Sequence, residues 1–173
     1  SSLELLTAST SRVLGVEDYI EKRFNAEAGG KLVMVVDRGN LEIVPADTNA
    51  VAVSVERKVT RVSDEKGREL LAQHEVTCEQ SGGTVTVRAR MNKDFGWWQR
   101  MSANFQVNYR IVVPRQFNLD IKTAGGNVTV GDLTGEVRGH TSGGTLTLAK
   151  ITGPVWVKPS GGNGSLGPAP GAA

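Results

Sequence analysis

The stretch Leu119-Asp120-Ile121-Lys122-Thr123-Ala124-Gly125-Gly126-Asn127-Val128-Thr129-Val130-Gly131-Asp132-Leu133-Thr134-Gly135 decides how this chain is read, because it returns 18 residues later. The second pass keeps Val137, Gly143-Gly144, Leu146-Thr147-Leu148 and Ile151-Thr152-Gly153. The third keeps Val155-Trp156-Val157, Gly161-Gly162 and Leu166, then loses apolar positions: Gly164 stands where Val128 and Leu146 stood. A short fixed period carrying alternating apolar residues marks stacked units, each buried only by its neighbours.

Side chains alternate faces along a strand, so Val128 and Val130 point one way and Thr129 the other. Stacking the units at about 4.8 Å turns each apolar position into an inward column. The columns predicted are Leu119–Val137–Val155, Val130–Leu148–Leu166 and Leu133–Ile151. The Gly-Gly pairs turn one corner, where φ > 0 is open to a residue without Cβ, and Gly135 and Gly153 turn a second. The fold class expected is all-β, a single-stranded β-solenoid or β-helix-like stack with 18-residue coils in the C-terminal part and one short helix near 63–73. Apolar residues do not recur every six positions, so a hexapeptide left-handed β-helix is not adopted.

Outward from the repeats, 173 residues fit one domain with a sizeable core. Hydrophobic residues at 39% against 22% charged place the chain among globular proteins rather than disordered ones. Twenty basic and 18 acidic side chains leave a net charge of +2, too balanced to call for nucleic acid or a membrane surface. No apolar run reaches the roughly 18 residues of a bilayer span. The segments expected are a mobile leader over 1–15, a single β-solenoid-like domain over 16–166 with regular repeats over 117–166, and a disordered Gly/Pro/Ala tail over 167–173.

In the N-terminal half, strands are predicted at 32–36, 41–44 and 51–55, with a turn at Asp37-Arg38-Gly39-Asn40. The helix at 63–73 opens with Ser63 as N-cap and with Asp64 and Glu65 at the positive end of its dipole; Gly67 weakens it by about 1 kcal/mol. Strands at 75–79 and 84–87 flank Ser81-Gly82-Gly83. A long strand at 103–113 puts Phe105, Val107, Tyr109, Ile111 and Val113 on one face.

The phrase Ile111-Val112-Val113-Pro114-Arg115-Gln116-Phe117-Asn118, running into the Gly-Gly repeats up to Val137, resembles a family of bacterial adhesin-like domains of unknown function built from β-strand repeats. Gly29-Gly30 and the helix near Leu70 fit the N-terminal half of that family, and the match runs over roughly 21–166. The resemblance implies an all-β solenoid-like domain outside the cytoplasm: periplasmic, cell-surface or membrane-anchored. It supplies no catalytic motif. Its implied partner is a protein or a glycan at the cell envelope, with no nucleic acid and no direct membrane insertion in this segment. The C-terminal solenoid edge adds an expectation of self-association.

No catalytic, cofactor or metal residue is expected. There is no Gly-x-Ser-x-Gly, no His-Glu-x-x-His, no Walker loop and no Cys-x-x-Cys. Cys78 is the single cysteine and reads as a small buried hydrophobe. Asp120 and Asp132 are the carboxylates on which a carbohydrate-active β-helix enzyme would depend. They are read instead as surface partners of Arg138 and Lys150, each 18 residues on. His74 is expected as a cation at the helix C-terminus, and His140 as a solvated residue between Lys122 and Lys158. The contact candidates are Trp97 and Trp98, Trp156 in the outward column with Asp120 and Arg138, and the outward threonines Thr129 and Thr147; Thr123 and Thr141 make a shorter hydroxyl column. For Trp97-Trp98 the competing reading, a lid over one end of the solenoid, is preferred.

Overall fold

A computed structural model describes residues 15–92, 103–159 and 164–166. In chain order these form β1 (Gly15–Asn25), β2 (Lys31–Val36), β3 (Asn40–Ala46), β4 (Ala50–Thr60), α1 (Asp64–Gln73), β5 (His74–Ser81), β6 (Thr84–Met91), β7 (Asn104–Pro114) and β8 (Asn118–Thr123). The repeats supply β9 (Val128–Val130), β10 (Leu133–Thr134), β11 (Val137–Thr141), β12 (Leu146–Leu148), β13 (Ile151–Thr152), β14 (Val155–Pro159) and β15 (Gly164–Leu166). The described residues are all-β with one helix. A seven-stranded sheet runs β1-β4-β7-β3-β9-β12-β15, and a six-stranded sheet runs β14-β11-β8-β2-β6-β5. They share one apolar core, and β10 and β13 make a small third sheet.

The chain crosses repeatedly from the six-stranded sheet to the seven-stranded one: β6 to β7, β2 to β3, β8 to β9, β11 to β12 and β14 to β15. These crossings lie side by side as parallel rungs, Leu119 opposite Val137, Val137 opposite Val155, and Leu148 opposite both Val130 and Leu166. Leu133 sits opposite Ile151. The sheets as wholes are mixed, however, so the all-β expectation holds while a single β-solenoid-like course over 16–166 is not what the pairing displays. β4 is antiparallel to β1 and β7, and β5 to β6. The cause is local: the tight Gly82-Gly83 turn between β5 and β6 allows only an antiparallel partner, and α1 carries the chain from one sheet to the other between β4 and β5. The readings of 1–14 and 167–173 fall outside the described residues.

Alternation builds the core. Leu119, Ile121, Val128, Val130, Leu133, Val137, Leu146, Leu148 and Ile151 are buried, with Leu32, Met34, Leu41 and Ile43 from β2 and β3 extending the same columns. Each such side chain contributes about 1.5–3 kcal/mol relative to leaving it in water. At the corners Gly126 has φ 93° and Gly144 φ 105°. A Cβ on Gly126 would collide with the Gly39 carbonyl, and one on Gly144 with the Gly126 carbonyl, so the glycines stack backbone on backbone.

The helix forms as its sequence dictates. Ser63 Oγ accepts from the Lys66 amide at 3.3 Å, and Asp64 and Glu65 lie in the first turn. Leu70 and Leu71 pack with Val59, Val16, Met91 and Phe105 in a separate apolar cluster. Gly67 faces Val16, where a Cβ would lie 2.7 Å from Val16 Cγ2, so its low helix propensity is the condition of close packing on β1.

Candidate functional site

The sequence candidates divide between two opposite outer surfaces. Trp97 and Trp98 lie outside the described residues. Thr129 and Thr147 are exposed on the outer face of the seven-stranded sheet, in a rank that runs Arg110, Glu42, Thr129, Thr147, Ser165 by register. Arg110 pairs there with Glu42 at 3.6 Å. A shallow depression of about 330 Å³ opens beside Thr129, between Glu42, Pro45, Arg115 and Asp132. Trp156 stands on the other side of the core, on β14 at the edge of the six-stranded sheet.

Trp156 is 48% exposed. Register sets Asp120, Arg138 and Trp156 on consecutive strands β8, β11 and β14. Arg138 Cζ lies 4.4 Å from the centroid of the indole, the cation–π contact expected from the 18-residue spacing, worth about 0.5–1 kcal/mol at an exposed site. The ion pair of Arg138 differs from expectation. Its Nε donates at 2.8 Å to Oε2 of Glu136, the residue just before β11, rather than to Asp120 on the neighbouring strand. Two residues further along the same strands, Lys122, His140 and Lys158 stand in register on that face.

Asp120 and Asp132 are not brought together. Asp120 is on β8, facing outward, while Asp132 occupies the bend between β9 and β10 and its Oδ1 accepts the Lys150 amide at 3.1 Å. Asp132 belongs to a set of short polar side chains that bracket one rung to the next. Asn118 Oδ1 accepts the Glu136 amide at 2.9 Å, Asn127 Oδ1 the Thr145 amide at 3.2 Å, and Asn40 Oδ1 the Asn127 amide at 3.0 Å. Sequence reasoning missed this set; the signal was Asn or Asp placed beside each bend.

Thr123 and Thr141 are corrected from outward to inward. Both are buried, on the face of Leu119 and Val137. Their Oγ1 atoms donate to the carbonyls of Gly125 and Gly143 at 2.7 Å and accept from the same residues' amides at 3.3 Å. They clasp the glycine corner instead of forming a ligand column.

His74 is likewise buried rather than a solvent-facing cation. Its amide donates to the Leu71 carbonyl, and Arg57 Nη1 lies 3.3 Å from its Nδ1. The same Nη1 donates to the His74 carbonyl at 2.8 Å and the Leu71 carbonyl at 3.1 Å. Arg57 also grips Asp18 with two bonds of 2.9 and 2.7 Å. On the other side His74 Nε2 faces Asp37 Oδ1 at 3.7 Å, and Asp37 Oδ2 accepts the Met91 amide at 2.9 Å. Burial works against ionising Asp37, but His74, the Met91 amide and Arg38 together hold its carboxyl below the usual range. The cluster ties α1, β1, β4 and the corner after β2. Cys78 is half-buried on β5; burial pushes its thiol up, against the opposing charge of Lys22. Among the described residues no group of three His, Cys, Asp or Glu side chains is placed to hold a metal ion. Nor is any of their helices long and apolar enough to cross a membrane.

No protein-family model and no curated protein matches the chain. Solved structures do resemble it at low identity. A protein of Clostridium sporogenes provisionally named for cell adhesion gives a TM-score of 0.41 at 8% identity, over 88% of this chain and 99% of its own. One of Parabacteroides distasonis, provisionally named for lipid binding, gives 0.34 at 12%, over 86% and 63%. A provisionally named adhesin of Bacteroides fragilis gives 0.32 at 9%, over 87% and 96%.

Proposed function

We propose that this chain is a non-catalytic, adhesin-like interaction module that works outside the cytoplasm, and that its C-terminal units form a short β-solenoid presenting the binding surface. The observation that carries the reading is Trp156: a large aromatic left half in water on an edge strand, with its ring held by Arg138 and Arg138 held by Glu136. A pre-oriented indole offers much apolar contact area at little cost in side-chain freedom. The partner is a protein or a glycan of the cell envelope. The site is taken as non-catalytic because Asp120 and Asp132 serve different parts of the stack and Asp132 is engaged with the next rung.

Glycan-array binding and pull-down from envelope extract, each with wild type and Trp156→Ala, test this. The expected result is a ligand whose affinity falls about tenfold in the variant, a loss of roughly 1.4 kcal/mol. A ligand bound equally by both proteins moves the site away from β14, and no binding of either kind removes the reading. Sugar release from a polysaccharide, abolished by Asp120→Asn or Asp132→Asn, would replace it with an enzyme.

A second reading, self-assembly, is favoured by the terminal places of β14 and β15 in the two large sheets, where outer strand groups face no further described strand. Light scattering over a concentration series shows rising mass if it holds and a constant monomer mass if it does not.

A further inference from the structure

We infer that the outer face of the six-stranded sheet takes an acidic polysaccharide, lying across β8, β11 and β14 with one sugar ring stacked on Trp156. This deepens the proposed function and rests on it. Two lysines and a histidine stand in line across this face. Lys122, His140 and Lys158 are opposite one another on β8, β11 and β14, and the line runs on through Val35 of β2 to Arg88 of β6. It lies perpendicular to the strands, with rungs about 4.8 Å apart, so Lys122 and Lys158 are separated by about 10 Å, close to a disaccharide length.

These cations have been left without partners. Among the described residues no carboxylate pairs with Lys122, Lys158 or Arg88. Other arginines of the two outer surfaces are engaged: Arg138 with Glu136, Arg90 with Glu75, Arg110 with Glu42. At the Arg88 end Glu75 and Glu79 of β5 stand diagonally opposite on the same face, Glu75 paired with Arg90, whereas at the other end Asp120 and Glu136 sit toward the N-terminal sides of β8 and β11 and leave the ends that carry Lys122 and Lys158 positive. A net charge of only +2 over the chain makes this a local device rather than a general basicity.

Charge alone would fit any polyanion; Trp156 narrows the choice. It stands on β14 beside Lys158, in the rank next to the cations, and its exposed ring matches the apolar face of a pyranose. A straight line of positive groups flanked by one aromatic platform suits a stiff, linear chain of rings bearing carboxylate or sulfate groups.

The test is binding of the whole chain to polygalacturonate, chondroitin sulfate and neutral dextran, with a single-stranded oligonucleotide and anionic lipid vesicles alongside, over a range of salt. Wild type is expected to prefer the two acidic glycans. Lys122→Gln/Lys158→Gln should lose about tenfold and lower the dependence of log affinity on log salt by about 2. Trp156→Ala should lose affinity with that dependence unchanged, and Arg110→Gln on the opposite face should bind as wild type does. Preference for oligonucleotide or vesicles overturns the inference, and so does equal loss in Arg110→Gln. Dextran bound as well as the acidic glycans overturns it while leaving the interaction module standing. Failure of every glycan, joined to an empty array and pull-down, takes the proposed function down with it.

Discussion

The crossing from β8 to β9 and the crossing from β2 to β3 follow the same backbone course, yet only the first announces itself in the sequence. In the C-terminal part each rung is followed at once by the next, so facing residues stand 18 apart and the eye catches the period. In the N-terminal part the rung made by β2 and β3 is separated from its neighbours by the return through β4, α1 and β5. Its Asn40 accordingly meets Asn127 and Asn108, 87 and 68 residues away. The same packing solution is used in both regions. What differs is whether the rungs adjacent in space are also adjacent in the chain, and that alone decides whether the repeat is visible.

The comparison can be broken hardest at a corner. Gly144→Val places a Cβ against the Gly126 carbonyl and asks a β-branched residue for φ 105°; a loss of about 4 kcal/mol or more is expected in urea unfolding. Gly82→Ala, in the open β5–β6 turn, meets no atom and should cost about 1 kcal/mol. Equal effects would mean that the stacked corner is not what holds the C-terminal rungs. The two regions are next compared through their cores. Leu32→Ala, inside the stack, should lose about 3–5 kcal/mol, and Leu148→Ala, one rung from β15, about 2–3 kcal/mol because the outer rungs can settle into the gap. The reverse order would place the rigid part of the molecule at the C-terminal side.

Smaller still is the polar tie of the N-terminal end. Arg57→Met leaves the His74 carbonyl and Asp18 without the guanidinium and the Leu71 carbonyl with the His74 amide alone, and should cost about 2 kcal/mol, with hydrogen-exchange protection lost in α1 and kept in β11 and β12. Protection lost evenly would show that the two regions unfold as one. The smallest effect is acidic. Because the folded protein holds the Asp37 carboxyl below its unfolded value, the stability it contributes is complete above that unfolded value, near pH 4, and disappears as pH falls through the lower folded value. Asp37→Asn should flatten that part of the acid unfolding curve; an unchanged curve would acquit Asp37.

The sequence made the rungs, the Gly corners and the helix legible because each depends on near neighbours or on the period: alternation for Val128 and Val130, capping for Ser63, the 18-residue spacing for Arg138 against Trp156. It misled where phase mattered. Thr123 continues the inward series Leu119 and Ile121, and only its hydroxyl, turned back on Gly125, makes that burial tolerable. It also misled where the partner was remote: His74 looked like a helix-end cation because neither Arg57 nor Asp37 is near it in the chain. Gly67 looked like a flaw because Val16 is 51 positions earlier. Of the binding candidates, Trp156 and Thr129 could be assigned faces from the period alone, but the uncompensated state of the Lys122–Lys158 line needed the arrangement of every nearby carboxylate.

The hydrogen bonds that join rung to rung lie along the direction in which the rungs are piled, and the bracketing Asn118, Asn127 and Asp132 point the same way. Mechanical load is therefore borne unequally. Traction along the pile strains one layer's bonds at a time and peels the layers singly at modest force. Traction along the strands must slide many bonds at once, and resists far more. How such a body is tethered, end-on or side-on, determines the tension it survives.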